Sequence, residues 1–189
     1  MPHNSSQVYQ PEADTYLLLN AARAEVEPGD RVLEIGTGSA IIAVELAGVT
    51  GVVATDINPY AALCAREKGI DVIQSDLFSG IRGTFDLILF NPPYLPTYPE
   101  DRIDDWLEYA LDGGIHGRDV IARFAEEVSW VLAPGGKILL LISSLTGLAE
   151  VRNIFFRQNF KSEIVMTEKV EDENLYVLRI VRRKKTGSQ

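Results

Sequence analysis

Four consecutive residues, Asn91-Pro92-Pro93-Tyr94, have the types and spacing that could bind a reacting amine. They follow an apolar segment, Phe85 to Phe90, whose length and composition predict a buried strand. The two prolines fix their φ angles and carry no amide hydrogens, so a carbonyl there is an open acceptor. With the side-chain oxygen of Asn91, it can bind both hydrogens of a planar –NH2 group while the Tyr94 ring packs on its face. The tetrapeptide therefore predicts a site for an amide or an aromatic amine.

A glycine turn follows an earlier predicted strand, at Glu34-Ile35-Gly36-Thr37-Gly38-Ser39. Gly36 and Gly38 permit a tight turn and the close approach of a ligand. The third glycine of the dinucleotide-binding pattern would fall at Ile41, so that pattern is incomplete. The turn favours a nucleoside over a dinucleotide.

Acidic residues end three successive predicted strands. Glu34 ends the first, Asp56 ends the second and Asp76 ends the third. Asp56 lies about 20 residues after the glycine turn, at the spacing where a carboxylate can accept both hydroxyls of a ribose. Each acid alone is better explained as the cap of a following helix or turn. As a set, they favour an adenosine-containing ligand at the carboxyl ends of the strands.

Strand-like and helix-like segments alternate along the chain and predict an α/β fold, a doubly wound, mostly parallel sheet in a single domain. Predicted strands are Arg31–Gly36, Val52–Ile57, Asp71–Ser75, Phe85–Phe90 and Lys137–Ser143. Predicted helices are Tyr16–Ala24, Ala40–Gly48, Pro59–Gly69, Arg118–Leu132 and Leu148–Gln158. Pro134-Gly135-Gly136 is expected to end the fourth of these helices. Lys161–Glu168 and Leu175–Val181 predict an antiparallel hairpin at a sheet edge. The domain is expected to span residues 1–181, followed by a basic, polar tail at 182–189.

The charge of the chain disfavours a nucleic acid substrate. The 189 residues include 27 acidic and 18 basic ones, and five of the basic residues lie after position 178, where there are no acids. An acidic body repels phosphates unless basic groups cluster near the site. Cys64 is the only cysteine, which excludes an intrachain disulfide and a cysteine-based zinc site, and we expect it buried on a helix. No metal is expected. The sequence shows no signal or membrane-spanning segment, which predicts a cytoplasmic protein.

The order of these motifs resembles the class I S-adenosylmethionine-dependent methyltransferases. The resemblance covers nearly the whole chain and implies the seven-stranded methyltransferase fold. It implies that Glu34 and the turn with Gly36 and Gly38 lie by the methionine part of the cofactor, that Asp56 holds the ribose, and that Asp76 with Leu77 contacts the adenine. S-adenosylhomocysteine would be the product.

The tetrapeptide is shared by adenine methyltransferases acting on nucleic acids and by HemK-like enzymes acting on a release-factor glutamine. The stretch from Val8 to Leu19 resembles the opening of the short archaeal and eukaryotic HemK-like branch, which implies that Thr15 lies beside the cofactor. That family has Ala then Glu where this chain has Glu12-Ala13. Capping of the Tyr16–Ala24 helix by Asp14 or Thr15 is compatible with this role. Only about 30 residues precede the first strand, too few for the helical docking domain of bacterial relatives.

A second segment, Leu111 to Arg118, also resembles the HemK-like family and implies a wall or lid of the pocket. Arg118 is expected to start the next helix or to anchor the loop through an acid such as Asp112. His116 is a lone loop histidine, and we assign it no chemistry. The acidic run from Glu100 to Trp106 is expected to be a solvated turn with Trp106 tucked inward, or a face for a basic protein partner.

The resemblance implies methylation of the side-chain amide nitrogen of glutamine in the Gly-Gly-Gln motif of a peptide chain release factor. Asn91, Pro92 and Tyr94 would be catalytic, Pro93 would help to bind the substrate, and Asn91 would also contact the cofactor. A small zinc-binding activator protein would cover an apolar sheet edge, expected at the third strand. The alternatives are an adenine methyltransferase on nucleic acid, a protein lysine methyltransferase, or a cofactor-binding scaffold without catalysis, against which the intact tetrapeptide argues.

Overall fold

The structure of the protein is a computed structural model that describes residues 5–98 and 105–184. Its α-helices are α1 (Ala13–Glu25), α2 (Ile41–Leu46), α3 (Pro59–Glu67), α4 (Asp119–Glu127) and α5 (Leu148–Arg157). Its strands are β1 (Arg31–Ile35), β2 (Gly51–Asp56), β3 (Asp71–Gln74), β4 (Phe85–Phe90), β5 (Leu132–Ser143), β6 (Phe160–Val170) and β7 (Glu173–Arg182). Short 3₁₀ turns lie at Ser5–Gln7, Glu108–Ala110, Val128–Trp130 and Ser144–Thr146. Among the described residues, no helix is long and apolar enough to cross a membrane.

The strands of the described residues form one seven-stranded sheet in the order β3-β2-β1-β4-β5-β7-β6. β1 to β5 pair in parallel, whereas β7 is antiparallel to both β5 and β6. The predicted doubly wound sheet with a C-terminal antiparallel hairpin is therefore confirmed. The strand order reverses between β1 and β4, and open α/β sheets bind ligands at the carboxyl ends of strands beside such a reversal.

Helices cover both faces of the sheet, so its central strands are apolar on both sides. In β5, Ile138 and Leu140 pack with Phe124 of α4 and Phe155 of α5. The alternate residue Leu139 packs in a second cluster with α1 and α2. The central strands are therefore rigidly held, which fixes the positions of the loops at their carboxyl ends.

The predicted end of α4 and the predicted start of α1 both differ from the structure. Pro134-Gly135-Gly136 does not end a helix: α4 ends at Glu127, and β5 already begins at Leu132. Phe85 pairs with Leu132 and Leu87 with Lys137, so residues 133–136 form a bulge. A bulge accommodates these residues because proline has no N–H for the strand ladder and Gly135 has a positive φ of 81°.

The first helix begins earlier than its apolar spacing indicates. α1 starts at Ala13, so Asp14 and Thr15 lie in its first turn, and the prediction that either caps the helix is wrong. Glu12 occupies the N-cap position without a side-chain capping hydrogen bond. The extra turn carries Asp14 and Thr15 into the interior, where both are buried.

The two edges of the sheet are β3 and β6, which confirms that the third strand and the C-terminal hairpin lie at edges. β7 extends through Arg182, one residue into the predicted tail. The guanidinium carbon of the next residue, Arg183, lies 4.3 Å from the centroid of the Phe156 ring. Cys64 lies on α3 as predicted but is only half-buried, which corrects the expectation of full burial. Most of the acidic run from Glu100 lies outside the described residues, and Trp106 is half-buried.

Candidate active site

A cavity of about 1110 Å³ lies at the carboxyl ends of β1 to β4. This volume is slightly above the range of about 300–1,000 Å³ for small-molecule sites. Every residue that the sequence assigned to cofactor or substrate lines it: Thr15, Glu34, Gly36, Gly38, Asp56, Asp76, Leu77, Asn91, Pro92, Pro93 and Tyr94. They converge because parallel strands deliver their carboxyl ends to one edge of the sheet.

The glycine turn after β1 is tied to the end of β2. Gly36 and Gly38 have positive φ angles of 68° and 52°, which residues with a side chain rarely adopt. Tyr9 lies close by, since a Cβ at Gly38 would be in ordinary contact, at 3.6 Å, with the Tyr9 carbonyl oxygen. The Gly38 amide donates to Oδ2 of Asp56 at 2.8 Å. The turn therefore presents bare backbone to the cavity in a conformation that Asp56 helps to hold.

Asp56 is buried and bound mainly to backbone amides. Its Oδ1 accepts from the amide of Asn58 at 2.8 Å, in addition to the bond from Gly38. Burial raises the pKa of Asp56, while these amide hydrogen bonds act to lower it. A carboxylate has about four acceptor sites, so Asp56 retains capacity for hydroxyl donors of a ligand.

Glu34 is a buried carboxyl group whose pKa is raised to about 8, chiefly by desolvation, with a smaller contribution from the charge of Asp56. The Thr37 hydroxyl donates to its Oε2 at 2.7 Å and acts to lower the pKa. A buried acid in this state is stabilised as a carboxylate by a nearby positive charge. The pocket floor is therefore suited to a cationic ligand group.

The stability of the unliganded protein should fall as pH rises from about 4.5 to about 8. In this window the folded protein keeps on Glu34 a proton that the unfolded chain has already released, so rising pH favours unfolding. A cationic ligand beside Glu34 should, conversely, bind more tightly as pH rises through about 8. Urea unfolding of wild type and Glu34→Gln at several pH values measures the effect. The same pH dependence in both proteins would contradict it.

Asp76, the acid that follows β3, contacts helix α4, which the sequence analysis did not associate with the site. The Asp76 carboxylate accepts from Nη2 of Arg123 on α4 at 2.6 Å, and both side chains are about half exposed. The next residue, Leu77, has a positive φ of 46° and a buried side chain. Arg123 thus fixes the direction of Asp76 at the mouth of the cavity.

Asp14 organises the tetrapeptide end of the site. Its Oδ2 accepts from Nδ2 of Asn91 at 3.0 Å, from the hydroxyl of Tyr9 at 3.0 Å and from the hydroxyl of Tyr94 at 3.4 Å. Oδ1 accepts from the amide of Thr15 at 2.6 Å. Asp14 is only 4% exposed. This buried carboxylate brings the N-terminal region and the tetrapeptide together.

The hydrogen bond to Asp14 decides which way the Asn91 amide faces. A carboxylate only accepts, so it selects the NH2 group of Asn91 and leaves Oδ1 pointing elsewhere. That Oδ1 is buried and has no hydrogen-bond partner among the described residues. A buried acceptor without a partner costs free energy. Asn91 lines the cavity and carries an acceptor without a partner among the described residues, which suits an N–H donor.

The two phenols bound to Asp14 remain protonated. Burial, followed by the negative charge of Asp14, raises the pKa of both Tyr9 and Tyr94 above the usual value for tyrosine. Neither is suited to act as a base near neutral pH. Their hydroxyls serve as hydrogen-bond donors that hold Asp14 in place.

The loop from Leu111 to Arg118 packs directly on the tetrapeptide and forms one wall of the cavity. Leu95 donates to the Leu111 carbonyl at 3.1 Å, and a Cβ at Gly117 would stand 2.3 Å from the Tyr94 carbonyl oxygen. Glycine is therefore needed at 117 for this approach. Arg118 occupies the N-cap position of α4, but its Nη1 donates to the Thr146 carbonyl at 2.7 Å. Arg118 therefore begins the next helix, as one of the two expectations had it, and its side chain binds a backbone carbonyl.

His116, to which no chemistry is assigned, is exposed and is not among the residues that line the cavity. Asp14 and Arg123 are the functional candidates that the sequence reasoning missed. Asp14 lies in the N-terminal stretch that resembles the HemK-like family. The feature that could have identified it is a carboxylate on a helix beside apolar residues. Arg123 offered no sequence signal, because its contact with Asp76 exists only after α4 packs on the sheet.

The fold, the glycine turn and the tetrapeptide define a class I methyltransferase. Residues 10–101 match the family model described as the methyltransferase small domain. The chain is 43% identical over 180 residues to a protein from Methanocaldococcus jannaschii named as a protein N5-glutamine methyltransferase, covering 91% of this chain and 90% of the relative. It is 33% identical over 194 residues to methyltransferase HEMK2 of Homo sapiens, covering 94% and 91%.

Among solved structures, the chain resembles the Mtq2 protein in the E. cuniculi Mtq2–Trm112 complex, described as responsible for methylating the eRF1 translation termination factor. The TM-score is 0.78 with 29% identity, covering 93% of this chain and 99% of that one. The chain belongs to the HemK2-like family of protein glutamine methyltransferases.

Proposed function

We propose that this protein transfers a methyl group from S-adenosylmethionine to the side-chain amide nitrogen of glutamine in the Gly-Gly-Gln motif of a peptide chain release factor. The observation that carries the proposal is the buried, unpartnered Oδ1 of Asn91, whose direction Asp14 sets. A substrate N–H donor would remove the free-energy cost of leaving this acceptor without a partner. The Methanocaldococcus jannaschii relative is named for glutamine, which supplies the kind of donor.

The residues around the cavity fit S-adenosylmethionine. The buried carboxyl of Glu34 and the turn at Gly36 suit the charged methionine end, and Asp56 has acceptor capacity for the ribose hydroxyls. Asp76 and Leu77 lie beside them at the end of β3 and suit the adenine. When bound, the cofactor would supply an electrophilic methyl group on a sulfonium.

Replacing Asp56 should mainly weaken cofactor binding. Loss of hydrogen bonds between a carboxylate and hydroxyls costs roughly 10- to 100-fold in affinity, so Asp56→Ala should raise the dissociation constant of S-adenosylhomocysteine by about that factor. The turnover rate at saturating cofactor should change much less. Calorimetry and steady-state kinetics measure the two effects. Asp56→Asn keeps one acceptor and should fall between wild type and alanine, whereas unchanged affinity in both variants would rule out the ribose role.

The protein's part in the chemistry is to hold the amide nitrogen in line with the methyl group. The N–CH3 bond would form as the S–CH3 bond breaks, leaving S-adenosylhomocysteine, and the amide would release one N–H proton to solvent. The two amide hydrogens would be accepted by Oδ1 of Asn91 and by the Pro92 carbonyl, with the Tyr94 ring against the amide plane. An amide nitrogen is a poor nucleophile because its lone pair is delocalised. Acceptors on its hydrogens raise its electron density, and the Asp14 carboxylate strengthens the Asn91 acceptor through the shared amide group. Positioning supplies most of the remaining rate.

Methyl transfer to three substrates tests the proposal. Labelled S-adenosylmethionine is offered with a release factor bearing Gly-Gly-Gln, with adenine-containing DNA and with a histone-like protein. We expect label on the release factor, located by mass spectrometry on the glutamine amide. A release factor with leucine in place of that glutamine should remain unlabelled. Label on DNA alone, or on a lysine of the histone-like protein alone, would replace the proposal by the corresponding alternative.

The charges around the cavity favour a protein substrate over a nucleic acid. Five acidic residues line it outside the predicted cofactor set and Asp14: Glu12, Glu108, Asp112, Asp119 and Glu173. Of the described lining residues, only Arg123 carries positive charge, and it is bound to Asp76. Phosphates approaching this mouth would be repelled.

A small zinc-binding activator protein is the proposed partner, and the edge strand β3 is its proposed docking site. The solved relative Mtq2 is in complex with Trm112. Edge strands present unpaired backbone groups for strand addition. β3 adds apolar surface, since Ile73 is 38% exposed and Val72 is half-buried.

Opposite edges of the sheet provide a matched test of this docking. Ile73 on β3 and Ile164 on β6 are both 38% exposed. We expect Ile73→Lys to abolish copurification with the activator and the gain in solubility and activity that it brings, whereas Ile164→Lys should retain both. Equal solubility and activity of the wild-type protein with and without the activator would argue against the partnership.

A further inference from the structure

The N-terminal residues 5–12, here called the strap, cross the cofactor half of the cavity. The strap begins with the 3₁₀ turn Ser5–Gln7, and its Val8 side chain is buried. The Tyr9 carbonyl approaches the glycine turn at Gly38, and the Tyr9 hydroxyl donates to Asp14. The strap is therefore part of the wall around the site and not a loose extension.

A second segment, residues 105–112, forms the wall beside the tetrapeptide. It contains the 3₁₀ turn Glu108–Ala110, and the rings of Trp106 and Tyr109 contact each other with centroids 5.3 Å apart. Residues 106–112 all line the cavity. This segment lies on the side where a protein substrate would present its amide, given the acceptor at Asn91.

Gln7 connects the two walls through hydrogen bonds at both ends of the residue. Its backbone carbonyl accepts from Nδ2 of Asn58 at 2.6 Å, and its side-chain Oε1 accepts from the amide of Trp106 at 3.1 Å. The backbone amide of Asn58 in turn donates to Oδ1 of Asp56 at 2.8 Å. A continuous hydrogen-bonded path thus runs from the proposed ribose acid, through Gln7, to the wall on the substrate side.

We infer that Gln7 is a positioning residue that couples the cofactor site to the 105–112 segment. A ligand held by Asp56 stabilises the end of β2 and the strap. The hydrogen bond from Trp106 to Gln7 then holds the 105–112 segment in place. The protein substrate then meets a formed wall, so bound cofactor increases its affinity. By linkage, bound substrate increases the affinity for cofactor by the same factor. The inference rests on the proposed function for the identity of the substrate.

Two variants of nearly equal size separate this role from simple packing. Gln7→Leu removes the acceptor for the Trp106 amide, whereas Gln7→Glu keeps an oxygen acceptor on a side chain of the same length. We expect Gln7→Leu to raise the KM for the release factor about five- to tenfold with kcat within about twofold, which corresponds to one lost hydrogen bond. Gln7→Glu should restore most of the wild-type KM. Equal KM values for wild type and Gln7→Leu would overturn the inference.

A readout without any release factor keeps this inference separate from the proposed function. Hydrogen exchange at the Trp106 amide is measured with and without S-adenosylhomocysteine. Cofactor should increase protection in wild type and Gln7→Glu but not in Gln7→Leu. The same gain of protection in Gln7→Leu would overturn the coupling, even if the release factor proves not to be the substrate.

Tryptophan fluorescence gives a second check in a Trp130→Phe background, where Trp106 is the remaining tryptophan. Trp130 is 57% exposed and does not line the cavity. Trp106 emission should respond to S-adenosylhomocysteine only when residue 7 keeps its acceptor. If Gln7→Leu fails to fold, Gln7→Ala repeats the comparison without a large apolar side chain at this half-buried position. A full cofactor response in Gln7→Ala would contradict the coupling.

Discussion

Replacing Asn91 by alanine should reduce methyl transfer by about 10³-fold while leaving the affinity for S-adenosylhomocysteine within about threefold of wild type. The alanine variant loses the buried Oδ1, which has no partner among the described residues and is the proposed acceptor for the substrate amide. The substitution leaves in place Glu34 and Asp56, the acids proposed to bind the cofactor. Because the lost interaction acts on the reacting amide, the effect should fall on kcat more than on cofactor binding.

Transfer of labelled methyl groups and calorimetry with S-adenosylhomocysteine measure the two quantities on the same preparation. Asn153→Ala is a suitable control, since Asn153 is exposed on α5 and does not line the active-site cavity. Full turnover by Asn91→Ala would refute the assignment of the tetrapeptide as the substrate clamp.

Replacing Asp14 by asparagine should lower kcat by about 100-fold, although Asp14 touches no reacting atom in the proposed mechanism. Asparagine has the same shape, but one of its two polar atoms is a donor, so it no longer selects the NH2 group of Asn91. In the wild type Asn91, Tyr94 and Tyr9 share Oδ2 while Oδ1 accepts from the Thr15 amide, so in the variant either Thr15 or these three donors would face an NH2 group. The acceptor facing the substrate would then be lost for part of the time.

A spectroscopic signal distinguishes this positioning role from general destabilisation. The charge of Asp14 contributes to the raised pKa of Tyr94, so ultraviolet titration of Asp14→Asn should show a lower pKa for that phenol. Tyr9→Phe removes one donor from the same carboxylate without touching Asn91, and should reduce kcat far less. An Asp14→Asn enzyme with wild-type kcat would show that the orientation of Asn91 does not depend on the carboxylate.

The elements of the fold were largely predictable, because the alternation of apolar strands and amphipathic helices is a local property of the chain. Phe85–Phe90 was predicted to the residue, and β1 and β2 to within one residue at each end. The two larger errors arose where tertiary pairing overrides local preference. Residues 133–136 enter β5 as a bulge because β4 pairs on both sides of them. α1 begins at Ala13 because its first turn is buried against the site.

The features of the site divide in the same way, into those that local sequence predicts and those that depend on tertiary packing. The strand-end acids and the tetrapeptide were predictable as a group, since consecutive parallel strands bring their carboxyl ends to one edge. The contacts of Asp14 with Asn91, 77 positions apart, and of Arg123 with Asp76, 47 apart, were not. Such contacts depend on how helices sit on the sheet, which the local pattern of residues does not report.

The sequence by itself determined the class of the protein, the order of its strands and helices, and the residue types available for chemistry. These follow from periodicity and from motifs whose spacing is short. Tertiary structure alone decided how the Asn-Pro-Pro-Tyr clamp is aimed, because Asp14 orients the Asn91 amide only when α1 packs beside the end of β4. It also decided that Gln7 joins two walls of one cavity. Hydrogen bonds have directions and lengths, and those exist only once distant segments are brought together.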